Sequence, residues 1–207
     1  MEILTRVFHR PLRAPRWCRN RCDLCAILCG LLVTAAGWIA GTSASIAEEP
    51  QPSEYQVKAA FLVNFPKYVD WPTNTFAGMN SPIVIAVLGE SRVVEEIQKV
   101  IAGRTVNGRQ IVLKRLASGA EPGACQILFI SSAEQQLSPN LLVRLKDAGI
   151  LTVGESDNFL EGGGIINLVR RDQKIALEVN LTAAATARIN ISSKLLGVAS
   201  VVKGKSK

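Results

Sequence analysis

Apolar runs of strand length alternate along most of the chain with segments whose apolar residues recur at helical spacing. A continuous apolar run at residues 83–87 is typical of a buried strand, and further strands are predicted at residues 126–130 and 150–153. Two segments with helical spacing, at residues 91–103 and 138–149, each follow a strand. Because strands separated by helices pair in parallel, the pattern predicts an α/β fold. We expect a mostly parallel sheet of about five to six strands with helices on both faces.

Turn signals complete this pattern. The dipeptide Asn107-Gly108 is typical of a tight turn and leads into a strand at residues 111–116. Residues 163–169 and 174–179 are predicted to form an antiparallel hairpin, since apolar residues alternate along the second of them. Two helices, at residues 181–187 and 192–202, are then expected to follow. The fold is therefore predicted to end in an antiparallel hairpin and a C-terminal helix.

An aromatic-rich amphipathic segment opens the predicted domain. Ser53 is a typical helix N-cap, and a spacing of four residues places on one face Val57, Phe61, Phe65 and Val69. Pro66 removes a backbone donor and disfavours helical geometry at the residue before it, so we expect a kink or an early end there. The core residues that we predict in this region are Phe61, Phe65 and Trp71.

The chain begins with a segment typical of export. An arginine-rich start precedes an apolar run at residues 24–40, and Ser45-Ile46-Ala47 offers the small residues that a signal peptidase reads. We expect cleavage after Ala47; the alternative is an uncleaved membrane anchor, because the apolar run is long for a signal peptide. The predicted organisation is a signal peptide at 1–47, one α/β domain at 48–202 and a disordered basic tail at 203–207.

Removing the predicted signal peptide changes the charge of the protein. The whole chain carries a net charge of +7, but residues 1–47 hold 6 basic and 2 acidic residues, which leaves 18 basic and 15 acidic residues, or +3. The basicity is therefore mostly a targeting signal, and it argues against a nucleic-acid partner. Four of the five cysteines and His9, the only histidine, are also removed. Cys125 alone remains, so no internal disulfide can form, and we assign it to the core.

Polar residues follow several of the predicted strands. Ser91, Ser131-Ser132 and Ser156 are expected at carboxyl ends of strands, where they would cap helices or hold a small ligand. The usual combinations of nucleophile and base are lacking in the mature chain, so we predict no catalytic residue, no cofactor and no metal. Since loops on a rigid scaffold commonly carry recognition, we predict a partner-facing or effector-facing edge at Glu155, Ser156, Asp157 and Glu161.

The opening segment, Tyr55-Gln56-Val57-Lys58-Ala59-Ala60-Phe61-Leu62 with Phe65, Tyr68 and Trp71-Pro72, resembles the first helix of the YfiR-like family. The resemblance extends over nearly the whole mature chain. It is carried further by residues 103–109, 125–131 and 152–156, by Phe159 and 163–166, and by the ending at 177–181 and 191–196.

This resemblance implies a non-catalytic periplasmic repressor that forms a homodimer. Its implied partners are the periplasmic sensor domain of an inner-membrane diguanylate cyclase, whose cyclic-di-GMP signalling it lowers, and an outer-membrane lipoprotein that sequesters it. Some members of the family use cysteine pairs as a redox switch, whereas the mature chain has Cys125 alone. A different hypothesis rests on the serines at the strand ends: a periplasmic small-molecule-binding module that feeds a sensor kinase or a transporter.

Overall fold

The structure is a computed structural model that describes residues 51–204. The predicted signal peptide and residues 205–207 of the predicted tail lie outside the described residues. The helices are α1 Glu54–Asn64, α2 Val93–Ile101, α3 Ser138–Leu145, α4 Leu181–Thr186 and α5 Ser193–Leu196. The strands are β1 Val69–Asp70, β2 Ile83–Leu88, β3 Thr105–Val106, β4 Arg109–Leu116, β5 Ile127–Ile130, β6 Leu151–Gly154, β7 Ile166–Arg171, β8 Lys174–Asn180, β9 Asn190–Ile191 and β10 Val201–Lys203.

The main sheet has eight strands in the order β10-β8-β7-β6-β5-β2-β4-β3. Its centre, from β4 through β2, β5 and β6 to β7, is parallel, and antiparallel pairs lie toward both ends, at β3 with β4 and at β7 with β8. Strands β1 and β9 form a separate antiparallel pair. The predicted α/β class and the mostly parallel sheet are thus confirmed. The sheet exceeds the predicted five to six strands because the short strands β3 and β10 extend its edges.

Both faces of the sheet are covered, as predicted. Along β2, Ile85 and Val87 belong to one apolar cluster, whereas Ala86 and Leu88 belong to another. The first cluster includes residues of α1, α2, α4 and α5, and the second includes residues of α3. This alternation follows from the pleat of a strand that is buried on both sides.

Helix α1 ends at Asn64, before Pro66 as predicted, but Phe65 keeps helical φ and ψ values of −49° and −39°, and a 3-10 turn follows at Phe65–Lys67. Ser53 and Gln56 form a reciprocal capping box at its start. The predicted apolar face is correct at Phe65 and Val69, which are buried beyond the end of α1, but wrong within the helix. The buried residues of α1 are Lys58, Ala59, Leu62 and Val63, while Val57 is only half-buried. These buried positions recur at helical spacing, and one of them is a lysine. A pattern of apolar residues alone therefore does not identify this face of the helix.

Turn geometry agrees with the sequence at both hairpins. Asn107 and Gly108 have φ values of 51° and 77°, as the tight turn between β3 and β4 requires. Asp172 and Gln173, with φ values of 45° and 64°, join β7 to β8 in the predicted antiparallel hairpin.

The end of the chain differs from the prediction. Instead of a helix over residues 192–202, α5 spans only four residues, and β10 then pairs in parallel with β8. Lys203 belongs to β10, so the predicted tail is ordered at its first residue. The β-branched pair Val201-Val202 favours this strand.

Candidate functional site: a cavity at the strand ends

The carboxyl ends of β2, β4, β5 and β6 surround a cavity of about 990 Å³. Strand β2 lies between β4 and β5. The chain passes from β2 to β4 on one side of it and then crosses back to β5 on the other side. Such a switch in strand order opens a crevice at the carboxyl edge of a sheet. The residues that line it are Tyr55, Gly89, Glu90, Ser91, Arg92, Val94, Glu95, Arg115, Leu116, Ala117, Ser118, Ser132, Ala133, Glu134 and Glu155.

Three residues meet closely at the side of this cavity. Gly89 has φ +82°, and a Cβ atom added there would lie 2.6 Å from Ser131 Oγ and 2.9 Å from Glu134 Oε1. A side chain cannot replace this glycine without displacing both neighbours. The Ser131 hydroxyl is buried and has no hydrogen-bond partner among the described residues. Glu134 is only 4% exposed, and its Oε2 accepts a hydrogen bond of 3.0 Å from the Ser118 hydroxyl.

Two arginines, Arg92 and Arg115, supply positive charge at the cavity, opposite in sign to its glutamates. The guanidinium carbon of Arg92 lies 5.8 Å from the centre of the Tyr55 ring, at cation-π distance. Arg115 Nη2 donates a hydrogen bond of 3.0 Å to Gln98 Oε1. In residues 51–204, neither guanidinium takes part in an ion pair.

A buried ion pair joins the cavity to α1. Lys58 Nζ donates to Glu155 Oε2 at 2.7 Å and also pairs with Glu54, and the side chains of Lys58 and Glu155 are 4% and 8% exposed. Burial lowers the pKa of Lys58, but the hydrogen bonds and charges of Glu155 and Glu54 outweigh it, so the pKa is raised above its ordinary value. Glu155 Oε1 accepts from the Ser132 backbone N–H at 2.9 Å, which ties the loop after β5 to the loop after β6.

The structure separates the four residues of the predicted recognition edge. Glu155 is held inside by Lys58, and Ser156 is buried, its carbonyl accepting a hydrogen bond from Asn167 Nδ2 at 3.0 Å. Asp157 and Glu161 instead face solvent, with side chains 80% and 65% exposed. Of these four residues, only Asp157 and Glu161 can therefore contact a partner without rearrangement.

The aromatic residues assigned to the core occupy different environments. Phe65 is 1% exposed, whereas Phe61 and Trp71 are only partly buried against the same cluster. The rings of Phe61 and Phe65 stack with centroids 6.0 Å apart. Phe61 also lines an apolar groove of about 650 Å³ between α1 and α5, together with Pro52, Gln56, Val57, Ala60, Asn64, Phe65, Tyr68, Lys194, Leu195 and Val198.

Phe159 anchors the loop that carries Glu155. Its ring lies between two glycines, so that an added Cβ would come within 2.4 Å of the ring at Gly154 and within 2.1 Å at Gly164. A Cβ added at Gly162, in contrast, would have its nearest neighbour, the Phe159 carbonyl oxygen, at 3.5 Å. The spacing of glycine and phenylalanine in this stretch therefore reflects close packing of one ring.

Cys125 is buried at the start of β5, on the opposite edge of the sheet from the cavity. Burial raises the pKa of its thiol to about 11, with the charge of Lys114 acting weakly against this, so the thiol stays protonated at neutral pH. In the part of the chain that the structure describes, no group of three His, Cys, Asp or Glu side chains could hold a metal ion.

Several residues of the site were not predicted from the sequence, among them Arg92, Arg115, Lys58 and Glu134. Lys58 lies at helical spacing from Leu62 on the buried face of α1, which was a usable signal. Glu134 follows Ser131-Ser132 directly after β5, but its burial depends on the approach of Gly89 from another strand, which local sequence does not report.

The fold and the cavity define an α/β protein with a polar crevice at the carboxyl ends of its parallel strands. The YfiR/HmsC-like family model matches residues 55–200, and the chain belongs to this family. The predicted resemblance is thereby confirmed. The family is regulatory rather than catalytic, and membership indicates a periplasmic regulator of diguanylate cyclase signalling. A comparison with curated proteins found no match.

The helices of residues 51–204 are short or carry polar residues. None of these helices combines the length and the apolar character needed to cross a bilayer.

Proposed function

We propose that this protein is a non-catalytic periplasmic repressor that binds the periplasmic sensor domain of an inner-membrane diguanylate cyclase and so lowers cyclic-di-GMP. The observation that carries the proposal is the family match, which spans nearly all of the described fold from α1 to the turn before β10. A homodimer is the proposed active form, and an outer-membrane lipoprotein is the proposed sequestering partner.

Asp157 and Glu161 are the proposed contact with the cyclase. Both lie in the loop after β6 and face solvent, and their ion pairs with Arg171 and Lys203, at 4.0 and 3.3 Å, join exposed side chains. Exposed pairs of this kind are weak, so a partner can displace them at little cost. Glu155 is not suited to this role, because it is already bound to Lys58.

Deleting the gene and measuring cellular cyclic-di-GMP tests the repression directly. We expect the level to rise and to return to normal when the wild-type gene is restored. The double variant Asp157→Lys/Glu161→Lys should restore it poorly, whereas Glu121→Lys should restore it fully. Glu121 is a matched control because it is similarly exposed but precedes β5 at the amino edge of the sheet. An unchanged level after deletion would contradict repression.

Binding to the purified periplasmic domain of the cyclase tests the contact surface separately. A contact through carboxylates should weaken as salt is raised, since exposed charges are screened. Equal affinity of the wild type and the double variant, with unchanged melting, would remove Asp157 and Glu161 from the interface and leave repression itself open to another surface.

Export is part of the proposal. Cleavage after Ala47 would release a chain beginning at Glu48. N-terminal sequencing of the protein from the cell envelope decides this, and a chain still beginning near Met1 would replace cleavage by the uncleaved anchor.

The strand-end cavity favours a second candidate function, a periplasmic small-molecule-binding module that feeds a sensor kinase or a transporter. A deletion that leaves cyclic-di-GMP unchanged but alters the output of a neighbouring kinase or transporter would favour this alternative.

A further inference from the structure

We propose that the outer edge of strand β4 binds an extended, acidic segment of another protein, which adds a strand to the main sheet. This surface is separate from Asp157 and Glu161, and the inference does not rest on repression of a cyclase.

The first observation is that β4 is a long strand with a short neighbour. It pairs with β2 along residues 111–116, but on its other side β3 covers it only at Arg109 and Gln110. In the part of the chain that the structure describes, no strand pairs with the outer side of residues 111–116. At about 3.3 Å per residue, this leaves an open edge roughly 20 Å long.

The hairpin determines which backbone groups face outward. In a two-residue hairpin, the residues that flank the turn exchange hydrogen bonds, so the N–H and C=O of Arg109 point toward β3. Because this direction alternates along a strand, Leu113 and Arg115 present their N–H and C=O groups on the same side. The Leu116 carbonyl has the opposite direction and accepts a bond of 3.2 Å from Gly89 N–H, on the side of β2.

These outward groups lack a partner within the described fold. The N–H and C=O groups of Leu113 and Arg115 bond to no other backbone group of residues 51–204. Donors and acceptors that alternate in this way match the backbone of a second strand, which is how sheets bind extended peptides.

This edge also lacks the features that usually close one. Native sheets protect their edges with short strands, prolines or bulges. Strand β10, at the other end of the sheet, has three residues, whereas β4 has eight, contains no proline and keeps an unbroken register with β2. Val112, in the middle of the open stretch, is 41% exposed. Lysines can protect an edge too, but Lys114 Nζ is turned onto the Pro122 carbonyl, at 3.1 Å.

The charge of the edge selects its occupant. Strand β4 carries three cations, Arg109, Lys114 and Arg115, and no carboxylate. None of the three takes part in an ion pair within residues 51–204. A second copy of the chain paired here would add cations without a counter-charge, whereas carboxylates opposite Lys114 and Arg115 would be attracted. The edge therefore favours an acidic strand with apolar residues opposite Val112 and Leu113.

The test uses the protein purified from the cell envelope and a capped peptide, acetyl-Thr-Glu-Glu-Val-Val-Thr-amide, at millimolar concentrations. In antiparallel pairing its glutamates would lie opposite Arg115 and Lys114, and its valines opposite Leu113 and Val112. Amide hydrogen exchange measured by NMR should slow at Leu113 and Arg115 at least about tenfold at saturation. It should change less at Val112 and Lys114, whose N–H groups already face β2.

Two methylated peptides test the strand geometry. An N-methyl group on the first valine, whose N–H would face β4, should abolish binding. The same group on the second valine, whose N–H would face solvent, should leave the affinity within about threefold. A peptide with lysines in place of both glutamates should bind at least about tenfold more weakly.

Variants of the protein test the charge. Lys114→Glu/Arg115→Glu should reverse the preference, so that the lysine peptide binds more tightly than the glutamate peptide. Lys174→Glu/Lys194→Glu is the matched control, because it changes the net charge equally at exposed residues outside β4. This control should keep the preference of the wild type.

Unchanged exchange at Leu113 and Arg115, or equal binding of the two methylated peptides, would overturn the proposal. So would slow exchange at both amides in the free protein that depends on protein concentration, because a second copy would then occupy the edge. If the charge-reversed variant does not fold, the methylated peptides still decide the matter. No cyclase is present in this experiment, so its outcome and that of the repression test are independent.

Discussion

Two of the concave surfaces that α1 helps to form differ in their chemistry. The strand-end cavity, which Tyr55 borders, is lined by carboxylates, guanidiniums and hydroxyls. The groove between α1 and α5, which Phe61 and Val57 border, is mostly apolar. Between the two, Lys58 on the same helix turns inward to Glu155. One helix therefore ties a polar surface to an apolar one, and a buried charge fixes its position.

This difference indicates how each surface contributes to the protein. In the polar cavity the sheet determines the geometry, because the residues follow four strands and cannot move independently. In the groove, the packing of α1 beside α5 determines the geometry, so this surface depends on the position of α1. Substitutions can separate these contributions.

Lys58→Met should have the largest effect. It leaves Glu155 buried without its cation, and breaking a buried pair in this way costs about 3–5 kcal/mol of unfolding free energy. Chemical denaturation measures it, with Lys99→Met as control, since Lys99 is exposed and its pair with Glu96 should contribute far less to stability. The double variant Lys58→Met/Glu155→Gln should recover part of the loss. Equal small losses in both single variants would mean that Lys58 does not hold α1.

The same pair predicts a pH dependence. Because the pKa of Lys58 is raised by folding, its contribution is complete below the ordinary value of 10.5 and is lost as the pH rises through the higher folded value. Unfolding measured from pH 9 upward should show this alkaline loss of stability in the wild type and not in Lys58→Met.

Phe65→Ala and Phe61→Ala compare the core with the groove. Phe65 is fully buried, so its truncation should cost about 3–5 kcal/mol. Phe61 is partly buried and lines the groove, so its truncation should cost less than about 2 kcal/mol. Thermal melting distinguishes the two. A loss at Phe61 as large as that at Phe65 would place the groove wall within the core.

Gly164→Ala tests the loop that carries Glu155 to the cavity. A Cβ there overlaps the Phe159 ring, and overpacking of this kind costs about 1–3 kcal/mol. Gly162→Ala, two residues earlier, has room for the methyl group and should change stability by less than about 0.5 kcal/mol. Denaturant midpoints compare them, and equal effects would show that the ring can move aside.

Asp157→Lys should have the smallest effect, within about 0.5 kcal/mol of the wild type, because the side chain is exposed. Glu155→Lys, two residues away, should unfold the protein as readily as Lys58→Met does, since it sets two cations against each other. Melting curves of the two variants measure this contrast. Similar curves would mean that the inward and outward halves of this loop are not distinct.

Local sequence determined much of this protein. The continuous apolar run at residues 83–87 predicted the central strand β2, because a strand covered on both faces has no polar positions to alternate. Asn107-Gly108 predicted its turn because few residues tolerate positive φ twice in succession. The motifs from Tyr55 onward predicted the family, which the match over residues 55–200 confirmed.

Tertiary structure decided the rest. The buried face of α1 includes Lys58, because Glu155, far away in the chain, supplies the charge that makes its burial tolerable. Residues 201–203 form a strand because β8 offers an edge to pair with; the β-branched residues there favour a strand, but they do not specify this partner. Glu134 and Ser131 are neighbours in one local turn, but the segment that follows a different strand packs against both of them at Gly89, which the local sequence does not report. Sequence fixes what each segment prefers, but burial and charge pairing depend on which segments meet.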